Sequence, residues 1–219
     1  MRRPQPETED SMRVLYEWPP TRSQRARWVL EELGPDYESH PVKLMEGEQN
    51  GEAYRAIHPL GVVPALKTDG YTMFESVAVV LQLIDEHPEK NLAPPPGSPE
   101  RALYYQWCTF TCAEMDPSLM AYFDNALRPL EAMRPPGRQH NAEFADYGRR
   151  DFALRAQALS KALSGRDYLL GSAFTGADIL IGHSCFMATH LELIGDYPIL
   201  QAYHGRLKQR PAYQRAYEG

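Results

Sequence analysis

The residues best suited to chemistry in this chain are a Val-Pro turn and a Glu-Ser pair that follows it. Val62 and Val63 precede Pro64, whose ring pushes the residue before it out of the helical region and makes a cis bond a candidate. Glu75 and Ser76 stand at the head of an apolar helix pattern. An unpaired backbone amide beside a helix N-terminus can hold an extended peptide that carries carboxylates. The two motifs together predict a small peptide-carboxylate pocket.

A short hairpin is predicted to bring the two motifs together. The Asp69-Gly70 turn separates the extended runs 65–68 and 71–74, and a helix pattern follows over 77–86. Upstream of the Val-Pro turn, alternation and turn signals predict a strand over 12–16, a helix from Ser23 to Gly34, a weaker strand over 37–42 and an irregular polar segment over 45–56. This order of elements predicts a compact α/β unit.

The clearest boundary is a run of three prolines over 94–96, which can continue neither a helix nor a sheet. Beyond it the apolar spacing is helical over 102–126, 142–163, 177–193 and 199–209. We therefore predict a flexible extension over 1–11, an α/β unit over 12–88, a linker over 89–98 and an all-helical unit over 99–219.

A capping box is predicted at the start of one of these helices. Thr175 and Asp178 have the Thr-x-x-Asp spacing in which hydroxyl and carboxylate each satisfy a free backbone N–H. Loss of the threonine cap would cost about 1 kcal/mol. We interpret Asp178 as a capping residue rather than as a catalytic acid.

Composition excludes several classes of function. A net charge of -6 and a pI near 5.7 argue against nucleic-acid binding, which depends on clustered Lys and Arg. No apolar run approaches the roughly 18 residues of a membrane span, and the N-terminus lacks the apolar region of a secretion signal. Three irregularly spaced cysteines suit a reducing cytoplasm.

These features resemble the cytosolic glutathione transferases from Met12 to about Tyr213. The most specific parts are the stretch 56–66, where the family typically shows Asn-Pro followed by Val-Pro-Ala-Leu, and the Glu-Ser pair after it. Here His58 replaces the usual Asn. The resemblance implies an α/β thioredoxin-like N-terminal domain, an all-α C-terminal domain, glutathione as co-substrate and a cytoplasmic homodimer.

The resemblance also implies a role for each residue of the predicted pocket. The backbone of Val63 would pair with the cysteinyl part of glutathione, with Pro64 in the cis form. Glu75 would receive the γ-glutamyl ammonium, and Ser76 would hold the carboxylate of that group. Gln49 aligns loosely with a glutamine that contacts glutathione in zeta-like members.

By the same resemblance, the residues that activate the thiol lie where the first strand passes into the first helix. A thiol near its usual pKa of roughly 8.5 is only a few per cent thiolate at neutral pH, and a hydroxyl donor lowers that pKa. Alignment on Arg25 puts Thr21 where serine-type members carry serine, with Ser23 two residues on. Either hydroxyl is a candidate, and the alternative for Ser23 is a helix N-cap. For Arg25 we expect a structural or exposed ion pair, and the alternative is a pair with a carboxylate between the domains.

The electrophile is expected between the two domains, against the first helix of the second unit. Trp18, Tyr105, Cys108 and Cys112 are the candidate lining residues, and the alternative is that they belong to the core. His183 and His190 are seven residues apart, a spacing that does not indicate a metal site.

The sequence leaves three functions open. The first is conjugation of glutathione to an apolar electrophile. The second is a glutathione-dependent disulfide reductase or peroxidase, in which glutathione supplies the thiol, because Pro20-Thr21-Arg22-Ser23 replaces the thioredoxin Cys-x-x-Cys and no cysteine precedes Cys108. The third is a catalytically quiet glutathione-binding protein.

Overall fold

Four strands form one mixed sheet in the N-terminal half of the computed structural model, which describes residues 12–127 and 139–218. The predicted extension over 1–11 lies outside the described residues. The strands are β1 (Val14–Glu17), β2 (Glu38–Pro41), β3 (Ala65–Lys67) and β4 (Thr72–Phe74), in the order β2-β1-β3-β4. β1 runs parallel to β2 and antiparallel to β3, and β3 pairs antiparallel with β4. This is the thioredoxin-like sheet that the sequence predicted.

Three helices accompany this sheet: α1 (Ser23–Leu33), α2 (Glu52–Arg55) and α3 (Ser76–Glu86). α1 and α3 bury apolar faces against the sheet and against each other. Gly34 ends α1 in the left-handed conformation, at φ 86, and donates its N–H to Leu30 O over 2.8 Å. The segment 45–56 is not irregular as predicted, because two 3-10 turns (Leu44–Glu46 and Glu48–Asn50) and α2 occupy it.

The C-terminal half is helical, and no strand or α-helix forms between residues 87 and 98. Its helices are α4 (Pro99–Phe110), α5 (Asp116–Tyr122), α6 (Ala142–Leu163), α7 (Gly176–His190), α8 (Pro198–Lys208) and α9 (Pro211–Glu218). Two π-helical turns, Thr111–Met115 and Phe123–Leu127, extend α4 and α5 into one path, which matches the single helix predicted over 102–126. Among the described residues, no helix is long and apolar enough to cross a membrane.

α9 was not predicted from the sequence. Pro211 stands at its first position, where the missing N–H of proline costs nothing. α9 packs along α1, and Trp28 of α1 meets the rings of Tyr213 and Tyr217 edge-on at 4.9 and 6.0 Å between centroids. α1 is therefore enclosed by both halves of the chain.

The predicted capping pair stabilises the start of α7. The Asp178 carboxylate accepts hydrogen bonds from the Thr175 N–H at 2.8 Å and from the Thr175 hydroxyl at 3.0 Å. It also accepts from the Leu169 N–H and the Tyr203 hydroxyl. Asp178 thus acts as a buried structural carboxylate.

Replacing Gly148 by alanine is expected to lower the free energy of unfolding by about 2 kcal/mol, because α5 and α6 cross backbone to backbone at this residue. A Cβ there would lie 2.4 Å from Tyr122 N and 2.9 Å from Ser118 O. Denaturant unfolding measures the loss. Gly205→Ala is the matched control in α8, where a Cβ meets nothing within 4 Å, and it should stabilise by up to about 1 kcal/mol. Equal effects of the two changes would contradict the close crossing.

Candidate functional site

A rigid turn presents an unpaired stretch of backbone beside β3. The Val63-Pro64 bond is cis, and within the described residues neither the N–H nor the C=O of Val63 has a hydrogen-bond partner. The Tyr54 hydroxyl donates to Val62 O over 2.7 Å and so holds the residue before it. Val63 is therefore free to pair with an extended ligand.

Gly61 makes the close packing of this turn possible. Its φ is 62, and a Cβ would lie 2.5 Å from the carbonyl oxygen of Gln49, a residue of the second 3-10 turn. The Gln49 side chain is half-buried, and its Oε1 is buried without a hydrogen-bond partner. Gln49 thus lies beside the turn that carries Val63, and its contact with glutathione stays a prediction.

The Glu-Ser motif lies directly after strand β4, at the start of α3. Glu75 has the left-handed φ of 74, which is costly for a residue with a Cβ and common at functional sites. Its exposed carboxylate makes no hydrogen bond or ion pair within the described residues. The first backbone bond of α3 runs from Val79 N to Glu75 O, so the N–H groups of 76–78 point out of the helix end. An ammonium and a carboxylate could be held side by side here.

The hydroxyl of Ser76 is fixed by a buried arginine. Arg25 has no exposed surface, and its Nη1 donates to Ser76 Oγ at 3.3 Å. Because Ser76 Oγ accepts this bond, its own proton is available to a ligand. The same guanidinium donates twice to Asp116 of α5, both at 2.7 Å, and to Ser184 of α7 at 3.0 Å.

The sequence predicted an ion pair for Arg25 but not the identity of its partners. The arginine is fully buried and joins the site to both halves of the chain. Asp116 was not singled out at all. The sequence signal that could have identified Asp116 was its position as a single carboxylate between Met115 and Leu119, which are core residues. Burial alone would raise the pKa of Asp116, but the Arg25 guanidinium outweighs it and holds that pKa below its usual value.

The two candidate hydroxyls lie at the start of α1 and contact each other. Thr21 Oγ1 and Ser23 Oγ are 2.8 Å apart, and Thr21 Oγ1 also accepts the Ser23 N–H at 3.2 Å. Ser23 is fully buried, accepts the Trp18 N–H at 3.2 Å and donates its hydroxyl proton to Trp18 O at 3.3 Å. Thr21 is only half-buried. Arg22 rather than Ser23 occupies the N-cap of α1, so the capping interpretation of Ser23 was wrong.

The four predicted lining residues of the electrophile site have different surroundings. Trp18 packs with Val63 and Tyr54 in a small apolar cluster of the N-terminal half. Cys108 belongs to the main core, 2% exposed, where burial raises the pKa of its thiol to about 12. Tyr105 is 48% exposed beneath the Arg101 guanidinium, and Cys112 is exposed. Cys108 is therefore a core residue. The other three keep exposed surface, and an electrophile site beside them stays a prediction.

Two surface depressions lie elsewhere. They measure about 530 and 340 Å³ and are bordered by α6, α8 and the loops beside them, with Ile199 common to both. Neither contains a residue of the predicted site. Among residues 12–127 and 139–218, no group of three His, Cys, Asp or Glu side chains is arranged to hold a metal ion.

Models of one protein family match both halves of the chain. The family model "Glutathione S-transferase, N-terminal domain" matches residues 12–83, and "Glutathione S-transferase, C-terminal domain" matches residues 110–211. Glutathione S-transferase PM239X14 of Arabidopsis thaliana is 32% identical over 73% of this chain and 73% of its own length. A probable maleylacetoacetate isomerase 2 of Drosophila melanogaster is 27% identical over 98% of this chain and 91% of its own.

Solved structures show the same architecture. A ternary complex of BphK, a bacterial GST, superposes with a TM-score of 0.81 at 29% identity, covering 94% of this chain and 98% of that one. A sphingomonad glutathione S-transferase complexed with glutathione has a TM-score of 0.80 at 29% identity, with 94% and 97% covered. The similarity therefore extends over both halves of the chain.

Proposed function

Because the chain belongs to the glutathione S-transferase family, we propose that it binds glutathione at the Val63 turn and joins its thiol to an apolar electrophile. The single observation that carries the proposal is that three unpaired features lie at the same end of the β3–β4 hairpin, where Ala65 pairs with Phe74. These are the backbone of Val63, the carboxylate of Glu75 and the outward N–H groups at the start of α3. An extended peptide with an ammonium and a carboxylate at one end satisfies all three.

The orientation of glutathione follows from these groups. Val63 pairs with the cysteinyl backbone, as one strand pairs with another. The γ-glutamyl ammonium lies at Glu75, and its carboxylate accepts from the Ser76 hydroxyl and from N–H groups at the positive end of α3. Gln49 contributes its amide from below the turn. The thiol then faces the start of α1.

We propose that the hydroxyl of Thr21 stabilises the thiolate of bound glutathione. Ser23 is fully buried and occupied with the Trp18 backbone, whereas Thr21 is partly accessible to a ligand. With glutathione bound, we propose that the Ser23 hydroxyl turns from Trp18 O to Thr21 Oγ1 across the 2.8 Å contact, so that Thr21 keeps its own proton for the sulfur. A hydrogen bond to the charged form lowers the pKa of the thiol.

A second candidate function is favoured by the similarity to the probable maleylacetoacetate isomerase 2, which covers nearly the whole chain. The same thiolate could add to a conjugated cis double bond, allow rotation and leave again, so that glutathione is regenerated. A glutathione-dependent disulfide exchange would instead consume a mixed disulfide. The N-terminal site serves each reaction equally.

Three substrates separate these activities. We expect turnover with an aryl halide and formation of a stable thioether. Isomerisation of a cis-alkenyl diacid with no net loss of glutathione would favour the second candidate. Turnover confined to a mixed glutathione disulfide would contradict both, and glutathione binding without any turnover would indicate a binding protein. A homodimer and a cytoplasmic location stay predictions of the family resemblance.

Replacing Glu75 by glutamine or Ser76 by alanine is expected to weaken glutathione binding about tenfold each. Each change removes or weakens a hydrogen bond in which one of the two partners is charged, worth about 1.5 kcal/mol or more. Isothermal titration measures the affinity, and retention on immobilised glutathione gives an independent readout. Glu192→Gln is the matched control, since Glu192 is also exposed with a positive φ, 57, but follows α7. Unchanged binding by both site variants would disprove the site.

A further inference from the structure

The turn that leads into Val63 is built on the side chain of His58. The imidazole is only 2% exposed, and its Nδ1 accepts the N–H of Leu60 at 3.3 Å. The His58 carbonyl accepts the N–H of Gly61 at 2.8 Å. Side chain and main chain of one residue thus close the turn, in the way that asparagine does in an Asx turn. The family resemblance places asparagine here, and the histidine adds a group that titrates.

The turn requires one protonation state of this imidazole. Because Nδ1 accepts the Leu60 N–H, the proton of the neutral ring must be on Nε2. A second proton would be placed on Nδ1 and would point at the N–H of Leu60. The charged ring therefore cannot make this bond, and two donors would face each other in a buried turn.

The surroundings of His58 are mostly apolar. Its ring lies against Phe74, with centroids 4.7 Å apart, and is stacked on Tyr54 from the side of α2, with centroids 6.5 Å apart. The charged groups nearby are the Glu75 carboxylate, directly after Phe74, and the Arg55 guanidinium, which donates to Pro59 O at 3.1 Å. Burial lowers the pKa of His58, and the negative charge of Glu75 offsets part of that effect.

From this geometry we propose that His58 is a positioning residue whose neutral imidazole holds the Val63 turn ready for glutathione, and that its protonation weakens glutathione binding. Protonation has two effects on the site. It opens the bond that shapes the turn, and it places a positive charge near the carboxylate that receives the γ-glutamyl ammonium. The inference rests on the proposed glutathione site and adds a pH dependence to it.

The direction in which glutathione affinity changes with pH follows from proton linkage. The ligand favours the neutral ring, so the complex binds fewer protons at His58 than the free protein does. Affinity is therefore constant above the pKa of His58 and falls as the pH drops through it. Loss of one neutral hydrogen bond of ordinary strength corresponds to about a fivefold loss of affinity.

The test is isothermal titration with S-methylglutathione at about pH 7 and about pH 5. This probe lacks a free thiol, and its carboxylates and amine titrate largely outside that interval. We expect wild type to bind about fivefold more weakly at the lower pH. His58→Asn keeps an acceptor for Leu60 but cannot titrate, so it should match wild type at about pH 7 and change less than about twofold. His40→Asn is the control, because His40 is a second histidine of the same sheet region and should leave the pH effect in place.

Several outcomes would overturn the inference. Equal wild-type affinity at the two pH values, or an equal fall in His58→Asn, would each exclude His58 as the cause. Absence of binding at about pH 7 would instead remove the proposed function and this inference together. Nitrogen NMR of the wild-type imidazole is independent of any variant, and a neutral ring with its proton on Nδ1 would also be decisive against it.

Discussion

Arg25→Met is expected to lower the free energy of unfolding by about 3 to 5 kcal/mol, the range typical for breaking one side of a buried ion pair. The change leaves the Asp116 carboxylate buried without the two 2.7 Å bonds that hold it, and Ser76 and Ser184 each lose a donor. Denaturant unfolding at neutral pH measures the loss. Because Arg25 joins α1 to α5 and α7, the variant should also bind glutathione more weakly.

The pH dependence of the stability distinguishes loss of the Arg25–Asp116 ion pair from a non-specific loss of packing. In wild type the folded pKa of Asp116 is lowered, so the pair stabilises the fold above the unfolded pKa of about 3.9 and is lost as the pH falls through the folded value. Without the guanidinium, burial raises that pKa. The folded variant then binds a proton that the unfolded chain releases, and its deficit relative to wild type should shrink on acidification.

Two further variants serve as controls for Arg25. Arg215→Met removes a half-exposed partner of Glu31 and should cost less than about 1 kcal/mol. The double change Arg25→Met with Asp116→Leu removes both charges, so it should be more stable than the sum of its single changes predicts. A loss of less than about 1 kcal/mol for Arg25→Met would show that the network does not stabilise the fold.

Thr21→Val is expected to lower kcat/KM about a hundredfold or more. This is the usual effect of removing one preorganised hydrogen-bond donor that stabilises an anion in the active site, here the thiolate. Valine preserves the shape of threonine and removes the hydroxyl. The pKa of bound glutathione should rise by about two units, the shift that corresponds to a hundredfold change. Titration of the thiolate absorbance in the ultraviolet measures this directly, and Thr21→Ser should retain most of the activity.

The Ser23→Ala variant distinguishes the role of the Ser23 hydroxyl from that of the Thr21 hydroxyl. Its buried hydroxyl accepts the Trp18 N–H, so its loss should cost about 1 kcal/mol of stability and change the thiol pKa much less than Thr21→Val does. The reverse result, a large pKa change for Ser23→Ala and none for Thr21→Val, would transfer the assignment to Ser23. No change for either variant would show that another group activates the thiol.

Local motifs were predictable because their causes are local. The residue before Pro64 is extended for steric reasons, Asp69-Gly70 favours a tight turn, and Thr175 with Asp178 makes a capping pair across one helical turn. Each depends on neighbours within a few positions. α9 was not predicted from the sequence, although proline is common at the first position of a helix.

The sequence by itself therefore determined the fold class, the order of the four strands, most of the helices and the two motifs of the candidate glutathione site. Tertiary structure alone decided what those residues contact. Arg25 meets Asp116, 91 positions later, because α1 lies between the sheet and the helical half. Ser23 and Cys108 are buried, whereas Thr21 keeps exposed surface. Such outcomes depend on which helix faces pack together, a property of the whole chain that no short pattern contains.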